Sequence, residues 1–483
     1  MPVDQNNLIW IDMEMTGLQL DSDRIIELRI GDQQRDLDDP VGVGLQPGHL
    51  HVDPDKVVLV HGHALFSHGV TNAFTWVFLI ALGLATATRL WLALRQIHHV
   101  RAHRDAVPRT FAEAIPLAAH QKAADYTVAK ARLGMIDVLL GAAVLLALTL
   151  GGLIDWLSTQ WSRVLDPQGL WHGAALIATV VVLIAVLELP LSLYRTFVIE
   201  AQFGFNRMTP KLFVVDLLKQ AVLAAALGLP LLMLVLWLMA KMGDLWWLYV
   251  WIAWMAFNLL VLLIFPTFIA PLFNRFTKLE DPSLAGRIEA LLHRCGFRAS
   301  GLYVMDGSKR SSHGNAYFTG FGAAKRIVLF DTLLSRLAPP EVEAVLAHEL
   351  GHYKRHHVWK RVALLFGLSA ALLWGLGQLV GEAWFYDGLG VASRGTAVAL
   401  LLFVLVLPVF TFFLQPISSL YSRRHEFEAD AYAADHSNAA ELVKALVKLY
   451  QDNAATLTPD PLHSAFYDSH PPAATRIARL RTT

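Results

Sequence analysis

A single cysteine in 483 residues, Cys295, excludes an intramolecular disulfide framework and any cysteine-cluster metal site. Charge is scarce as well: Asp, Glu, Lys and Arg make up 17% of the chain and sum to zero, so no global field argues for a nucleic-acid partner. The first residues carry no cleavable signal peptide. What is abundant is apolar. Hydrophobic residues reach 55% and mean hydropathy is positive, outside the soluble globular norm.

The apolar residues are gathered into seven runs long enough to cross a bilayer, near 74–94, 133–154, 171–193, 212–240, 244–266, 362–384 and 396–418. The fourth and fifth are separated by a tight hairpin around Ala240–Asp244. Ten Lys and Arg lie in the connections 95–132 and 194–211, against Arg163, Lys241 and Arg394 in the three opposite ones, which predicts that the former side is cytoplasmic. With seven spans, the segment between spans five and six and the C-terminal tail share that face.

That inter-span segment holds His348-Glu349-Leu350-Gly351-His352. Two histidines four apart sit on one helical face, about 6 Å along the axis, so both rings reach one metal ion. Glu349, one position on, is placed to take a proton from water activated at the metal. The setting favours a helix: Pro339 and Pro340 suit its first turn, Glu341 and Glu343 complement its positive end, and Val342, Val345, Leu346 and Leu350 form a stripe.

Catalytic zinc takes three protein ligands, so one more is expected. A straight helix places His356 about 12 Å from His348, too far to share an ion, and His356 and His357 read as polar residues at the cytoplasmic end. The metzincin pattern fails because Arg355 and Val358 stand where Gly and His are needed. After the seventh run comes SRRHEFEADAYAADH, 422–436. Glu426 and Asp430 share a helical face while Glu428 points elsewhere, so one of the two carboxylates is available as a ligand and the other, a turn away, to orient a ligating histidine. Spacing does not choose between them.

HELGH, SRRHEFEADAYA and the tail YDSHPPAATRI, together with RTFVIEAQFGFNRMTP (195–210), FPTFIAPLFNRFTKLED (265–281) and SSHGNAYFTGFG (311–322), resemble the type I CAAX prenyl proteases, integral-membrane HExxH zinc endopeptidases. The resemblance runs in order over residues 74–483. It implies a mainly α, polytopic membrane protein with seven transmembrane helices around a chamber and a zincin-like cytoplasmic catalytic region containing a short β element. It also implies one Zn2+ held by His348, His352 and Glu426, with Glu349 as general base and Asp430 supporting a ligand. His470 matches the histidine near the oxyanion and Arg476 an active-site arginine. By the same resemblance Asn315 and Ala316, in the strand-like alternation of 313–319, bind an extended peptide along an edge. Asp137, Glu188, Asp216 and Lys219, within or near the apolar runs, either line the chamber or snorkel from the helix ends.

Residues 1–28 resemble something else, the opening strand of oligoribonuclease, with Asp12 and Glu14 matching its first metal-binding acids. The match stops at Leu28, and two carboxylates without partners do not assemble a two-metal nuclease. Residues 29–73, rich in Gly, Pro, Asp and His, read as a disordered tail. The expectation is a non-functional fragment joined to the membrane protein, whose own start lies near Val70. Beyond it come transmembrane helices 1–5 (74–272), a cytoplasmic catalytic region with HExxH (273–360), helices 6–7 (361–418) and a C-terminal catalytic region (419–483).

The expected activity is hydrolysis of peptide bonds in peptide or protein substrates, prenylated or membrane-derived, at the cytoplasmic face of the cell (inner) membrane, with no nucleic acid involved. The alternative is a membrane binding or transport protein with a vestigial metal site. An exonuclease would rest on Asp12 and Glu14 alone.

Overall fold

A computed structural model describes residues 72–297, 299–319 and 326–482. Asp12, Glu14 and nearly all of the expected tail lie outside the described residues. Helix α1 (Ala73–Ala102) starts at Asn72, whose side chain accepts from Phe74 N and Thr75 N while Thr75 Oγ1 accepts from Asn72 N. Then follow α2 (Leu117–Leu148), α3 (Leu153–Trp161), α4 (Leu170–Tyr194), α5 (Pro210–Lys241) and α6 (Trp246–Ile264). Single π-turns, Arg195–Ile199 and Phe265–Ile269, extend α4 and α6 at their C-terminal ends.

The second apolar run was expected over 133–154. The helix instead begins sixteen residues earlier and ends at Leu148, because the chain turns at Gly152 in the left-handed region (φ 73°). The residues past that turn form the separate helix α3.

Next comes a mixed sheet: β1 (Phe276–Lys278), helix α7 (Pro282–Arg294), β2 (Gly301–Met305), β3 (Ala316–Thr319) and β4 (Arg326–Phe330), ordered β1-β2-β4-β3. β2 is parallel to β4, and β3 runs antiparallel to β4 with Ala316 opposite Leu329 and Thr319 opposite Arg326. Helix α8 (Pro339–Lys354) packs on the sheet, and α9 (His357–Leu379) returns to the bundle. After α10 (Ala383–Gly388), α11 (Thr396–Thr411) runs through one 3-10 turn into α12 (Gln415–His436), so the seventh apolar helix continues out of the bundle toward the sheet. Helices α13 (Ala439–Asp452), α14 (Pro461–Tyr467) and α15 (Ala473–Leu480) finish the chain.

Seven helices among the described residues have the length and composition of membrane spans. Their surfaces agree with lipid as the solvent: Trp76, Val182, Val222, Leu263 and Leu364 are more than half exposed. One apolar core joins the spans through Phe78, Leu145, Leu176, Leu236, Trp246, Leu376 and Leu402. A second, around Ile288, Ile327, Leu329, Val345, Leu350 and Leu446, belongs to the sheet and its helices. A partly open cavity of about 260 Å³ lies between helices of the bundle.

Candidate metal centre and active site

Helix α8 begins where Pro339 occupies its first turn and the Glu341 carboxylate accepts from Ala338 N at 2.7 Å, so an otherwise orphaned donor is satisfied. Val342, Val345, Leu346 and Leu350 pull it into the second core and carry His348, Glu349 and His352 inside with them; each is at most 5% exposed. Buried polar side chains need partners. Helix α12 supplies them. It comes so close that a Cβ on Gly351 would stand 2.9 Å from Ala429 Cα and 3.1 Å from Ala429 O.

That approach sets Glu426, fully buried, against both histidines. His348 Nε2 and His352 Nε2 are 3.2 Å apart; Glu426 Oε2 is 3.4 Å from the first and Oε1 is 3.2 Å from the second. Two ring nitrogens that both point at one spot suit two lone pairs converging on a cation. Four-coordinate zinc with bonds of about 2.0–2.1 Å requires ligand atoms about 3.3 Å apart, the edge of the tetrahedron. The Nε2–Nε2 separation matches that edge, and the carboxylate stands at a similar distance from each ring nitrogen. Neither Glu426 oxygen has a hydrogen-bond partner among the described residues, a costly state for a buried carboxylate unless a cation sits there. The three residues therefore fit a divalent metal, and they form a metal-capable cluster among the described residues.

Around the cluster the tail contributes charge. Asp430 Oδ1 lies 3.0 Å from His348 Nδ1, and Arg476 grips the same carboxylate with Nε at 2.9 Å and Nη2 at 2.7 Å. Arg476 Nη1 stands 3.6 Å from Glu426 Oε2. Burial opposes a charge on His348, but the Asp430 and Glu426 carboxylates outweigh it and raise its pKa to about 9, so the pocket favours positive charge at this position. Burial likewise opposes the charge on Arg476, and Asp430 overcomes it and pushes that pKa up. His470 Nε2 reaches within 3.4 Å of Glu426 Oε2, its Nδ1 being 3.1 Å from Ser469 Oγ. The turn before it is pinned by Arg423 of α12, which donates to Ser464 O and Asp468 O at 2.9 Å each.

His357 was expected at the polar cytoplasmic end, and this reading is corrected. His356 takes a left-handed conformation (φ 58°), which stops α8 and folds the next residue back. His357 is 1% exposed, with Nδ1 3.0 Å from His352 Nδ1 and Nε2 3.1 Å from Glu428 Oε2. Its ring stacks on His425 at 4.0 Å. The straight-helix argument concerned His356, which is exposed and outside the metal-capable cluster; it did not address His357, which lies past the break in the helix. Glu428, off the shared face of Glu426 and Asp430, also accepts from Arg424 Nε at 3.2 Å.

Asn315 and Ala316 are buried at the start of β3. Asn315 Oδ1 accepts from Ala316 N at 2.7 Å, and its Nδ2 has no hydrogen-bond partner among the described residues. Of the four ionisable groups in the spans, Asp137 and Glu188 wall the bundle cavity together with Arg89. Asp216 instead binds Arg310 through both oxygens, at 2.8 and 3.1 Å, and Lys219 donates to Leu272 O at 2.7 Å.

Two family models match in succession: CAAX prenyl protease N-terminal, five membrane helices, over residues 96–275, and peptidase family M48 over 278–483. CAAX prenyl protease 1 of Saccharomyces cerevisiae is 39% identical over 310 residues, which cover 61% of this chain and 68% of the yeast protein. The CAAX prenyl protease 1 homolog of Arabidopsis thaliana is 33% identical over 402 residues, 81% of this chain and 93% of the plant protein. The crystal structure of S. mikatae Ste24p superposes with a TM-score of 0.77 at 32% identity, covering 85% of this chain and 99% of that one. With both regions of the family present in order and a relative matched over nearly its whole length, the chain belongs to the CAAX prenyl proteases, membrane-embedded zinc metallopeptidases of family M48.

Proposed function

We propose that His348, His352 and Glu426 hold a single zinc ion and that Glu349 serves as general base for peptide-bond hydrolysis. The observation that carries this is the convergence of the three buried donors on one spot, with no hydrogen bond to either Glu426 oxygen among the described residues. When bound, zinc supplies a Lewis acid that acidifies water and polarises the scissile carbonyl. Glu349, next to His348 in the sequence and buried, takes the proton of the attacking water and passes it to the leaving amine. His470 donates to the oxyanion as the carbonyl becomes tetrahedral. Asp430 accepts from His348 Nδ1 and fixes the tautomer whose Nε2 lone pair faces the ion, and Arg476 holds Asp430 ionised and in place. Asn315 and Ala316 present the edge of β3 to the extended substrate.

The substrate is a peptide or protein delivered at the membrane, prenylated or membrane-derived, and no nucleic acid takes part. The ten-to-three distribution of Lys and Arg supports a cytoplasm-facing site in the cell (inner) membrane. Glu349→Gln keeps the ligands and removes the base. The purified variant is expected to retain zinc while losing turnover of a hydrophobic reporter peptide by at least about a hundredfold. Normal proteolysis by that variant overturns the mechanism.

A further inference from the structure

Helix α12 meets the C-terminal tail along one face, in register. Ser419, Arg423, Glu426 and Asp430 follow one another at helical spacing, so they lie in a line down that face. Ser419 Oγ donates to Phe466 O at 2.8 Å. One turn on, Arg423 Nη1 donates to Ser464 O and Asp468 O at 2.9 Å each and lies 3.4 Å from Ala465 O. The next turn brings Glu426 Oε2 to 3.4 Å from His470 Nε2, and in the last Asp430 Oδ1 accepts from Arg476 Nη2 at 2.7 Å. The helix that supplies the carboxylate of the metal-capable cluster thus also holds the chain that carries His470.

What Arg423 grips is the C-terminal end of α14, where the last carbonyls have no partner inside the helix. Two of its acceptors belong to that helix and the third, Asp468 O, to the residue just after it. One guanidinium therefore joins the helix to the chain that leaves it, which the compact ammonium of a lysine does less well. Only Ser469 separates Asp468 from His470. At its other end α14 is fixed to α1: Gln96 Oε1 accepts from Asp460 N at 2.7 Å and Arg95 Nη2 meets Asp460 Oδ2 at 2.9 Å. Phe466 in its middle stacks on Phe412, with ring centres 5.6 Å apart. With the helix held at both ends, the Arg423 contacts fix the starting point of the short arm to His470.

We propose that Arg423 is a positioning residue for the oxyanion step: by holding Asp468 it sets where the His470 imidazole stands relative to Glu426. This rests on His470 donating to the oxyanion. Arg423 lies outside the metal-capable cluster, and its loss leaves His348, His352, Glu426, Glu349 and the β3 edge in the sequence unchanged. A misplaced donor matters little while the substrate carbonyl is nearly neutral and most once negative charge has developed on its oxygen. The signature of Arg423 is therefore a fall in kcat with KM kept.

The test compares the full-length zinc-loaded protein with Arg423→Gln, Arg423→Lys and His470→Ala in neutral detergent. Each is given the hydrophobic reporter peptide and a phosphinate analogue of it, in which tetrahedral phosphorus replaces the scissile carbonyl. Arg423→Gln is expected to keep its zinc and its KM, to lose kcat about ten- to a hundredfold, and to bind the analogue more weakly by the same factor. Arg423→Lys keeps the charge and part of the grip, and is expected to fall between. In the His470→Ala background, Arg423→Gln is expected to lower kcat no further, because a donor that is gone cannot be misplaced. Should Arg423→Gln not fold, Arg423→Lys is read in the same two backgrounds. The positioning role is overturned by an Arg423→Gln protein that keeps kcat, that loses zinc, or that raises KM in place of lowering kcat. Independent, multiplying effects of Arg423→Gln and His470→Ala overturn it as well. A full-rate His470→Ala protein removes the oxyanion donor and the positioning role with it; an impaired His470→Ala beside a full-rate Arg423→Gln removes the positioning role alone.

Discussion

At the residue scale the centre is organised by what each ring nitrogen faces. His348 turns Nδ1 to a carboxylate, Asp430, whereas His352 turns Nδ1 to another imidazole, His357. A short contact between two ring nitrogens needs one donor and one acceptor. If Nε2 of His352 is to offer a lone pair, its Nδ1–H donates to His357 Nδ1, and His357 then donates from Nε2 to Glu428, which Arg424 also holds. His357→Phe keeps the ring stacked on His425 but removes the acceptor. Metal affinity, measured by competition with a chromogenic chelator, is expected to fall about ten- to a hundredfold. An unchanged affinity would show that His352 needs no such support. Sequence spacing reached His348, Glu349, His352 and the pair Glu426 and Asp430. It missed His357, because the signal is a left-handed residue at His356, and nothing in the one-letter string announces that a non-glycine will adopt it.

Between elements, the decisive contact is α8 against α12, and Gly351 permits it. Residue 351 falls at a free position of the HExxH pattern, where pattern alone makes no demand on its size. In the fold, the missing Cβ lets Ala429 of α12 come within van der Waals reach of the helix, and this proximity brings Glu426 and Asp430 to His348 and His352. Two of the three obstructing atoms are Ala429 backbone and the third is Tyr432 Cβ, fixed to its own backbone, so none can swing aside. Gly351→Ala is expected to push the helices apart by tenths of an ångström. Bound zinc after dialysis should drop well below one per chain while helical content by circular dichroism stays as before. Full zinc occupancy and activity would mean that α12 yields without harm. The break of α2 at Leu148 belongs to this scale too: hydropathy marks how much apolar chain is present, but the backbone turn at Gly152 decides where the helix stops.

On the scale of the whole molecule, a bundle solvated by lipid must hold a catalytic region solvated by water. Asp216 of α5 and Arg310 of the loop before β3 form one buried clamp between them, with Arg310 also donating to Phe273 O at 2.6 Å and Asn274 Oδ1 at 2.8 Å. Arg95 of α1, itself exposed, also reaches across to the buried Asp460 at the cap of α14. Removing one partner of a buried pair strands the other charge, so Asp216→Ala should destabilise the protein by about 3–5 kcal/mol, read as a lower melting temperature in detergent. An unshifted melt would show that the clamp is not structural. Composition alone determined that this chain belongs in a membrane and where its seven apolar runs lie, though not where each helix begins and ends, because burial in lipid demands about twenty apolar residues in a row and such runs are visible one residue at a time. The HExxH histidines were equally legible, since a helix places residues four apart on one face whatever surrounds it. Only the tertiary structure decided how the tail meets that helix, that Asp216 ties the two regions together and that His357 supports a ligand. Those are contacts between residues distant in sequence or across a helix break, set by side-chain packing and backbone turns that local periodicity does not encode.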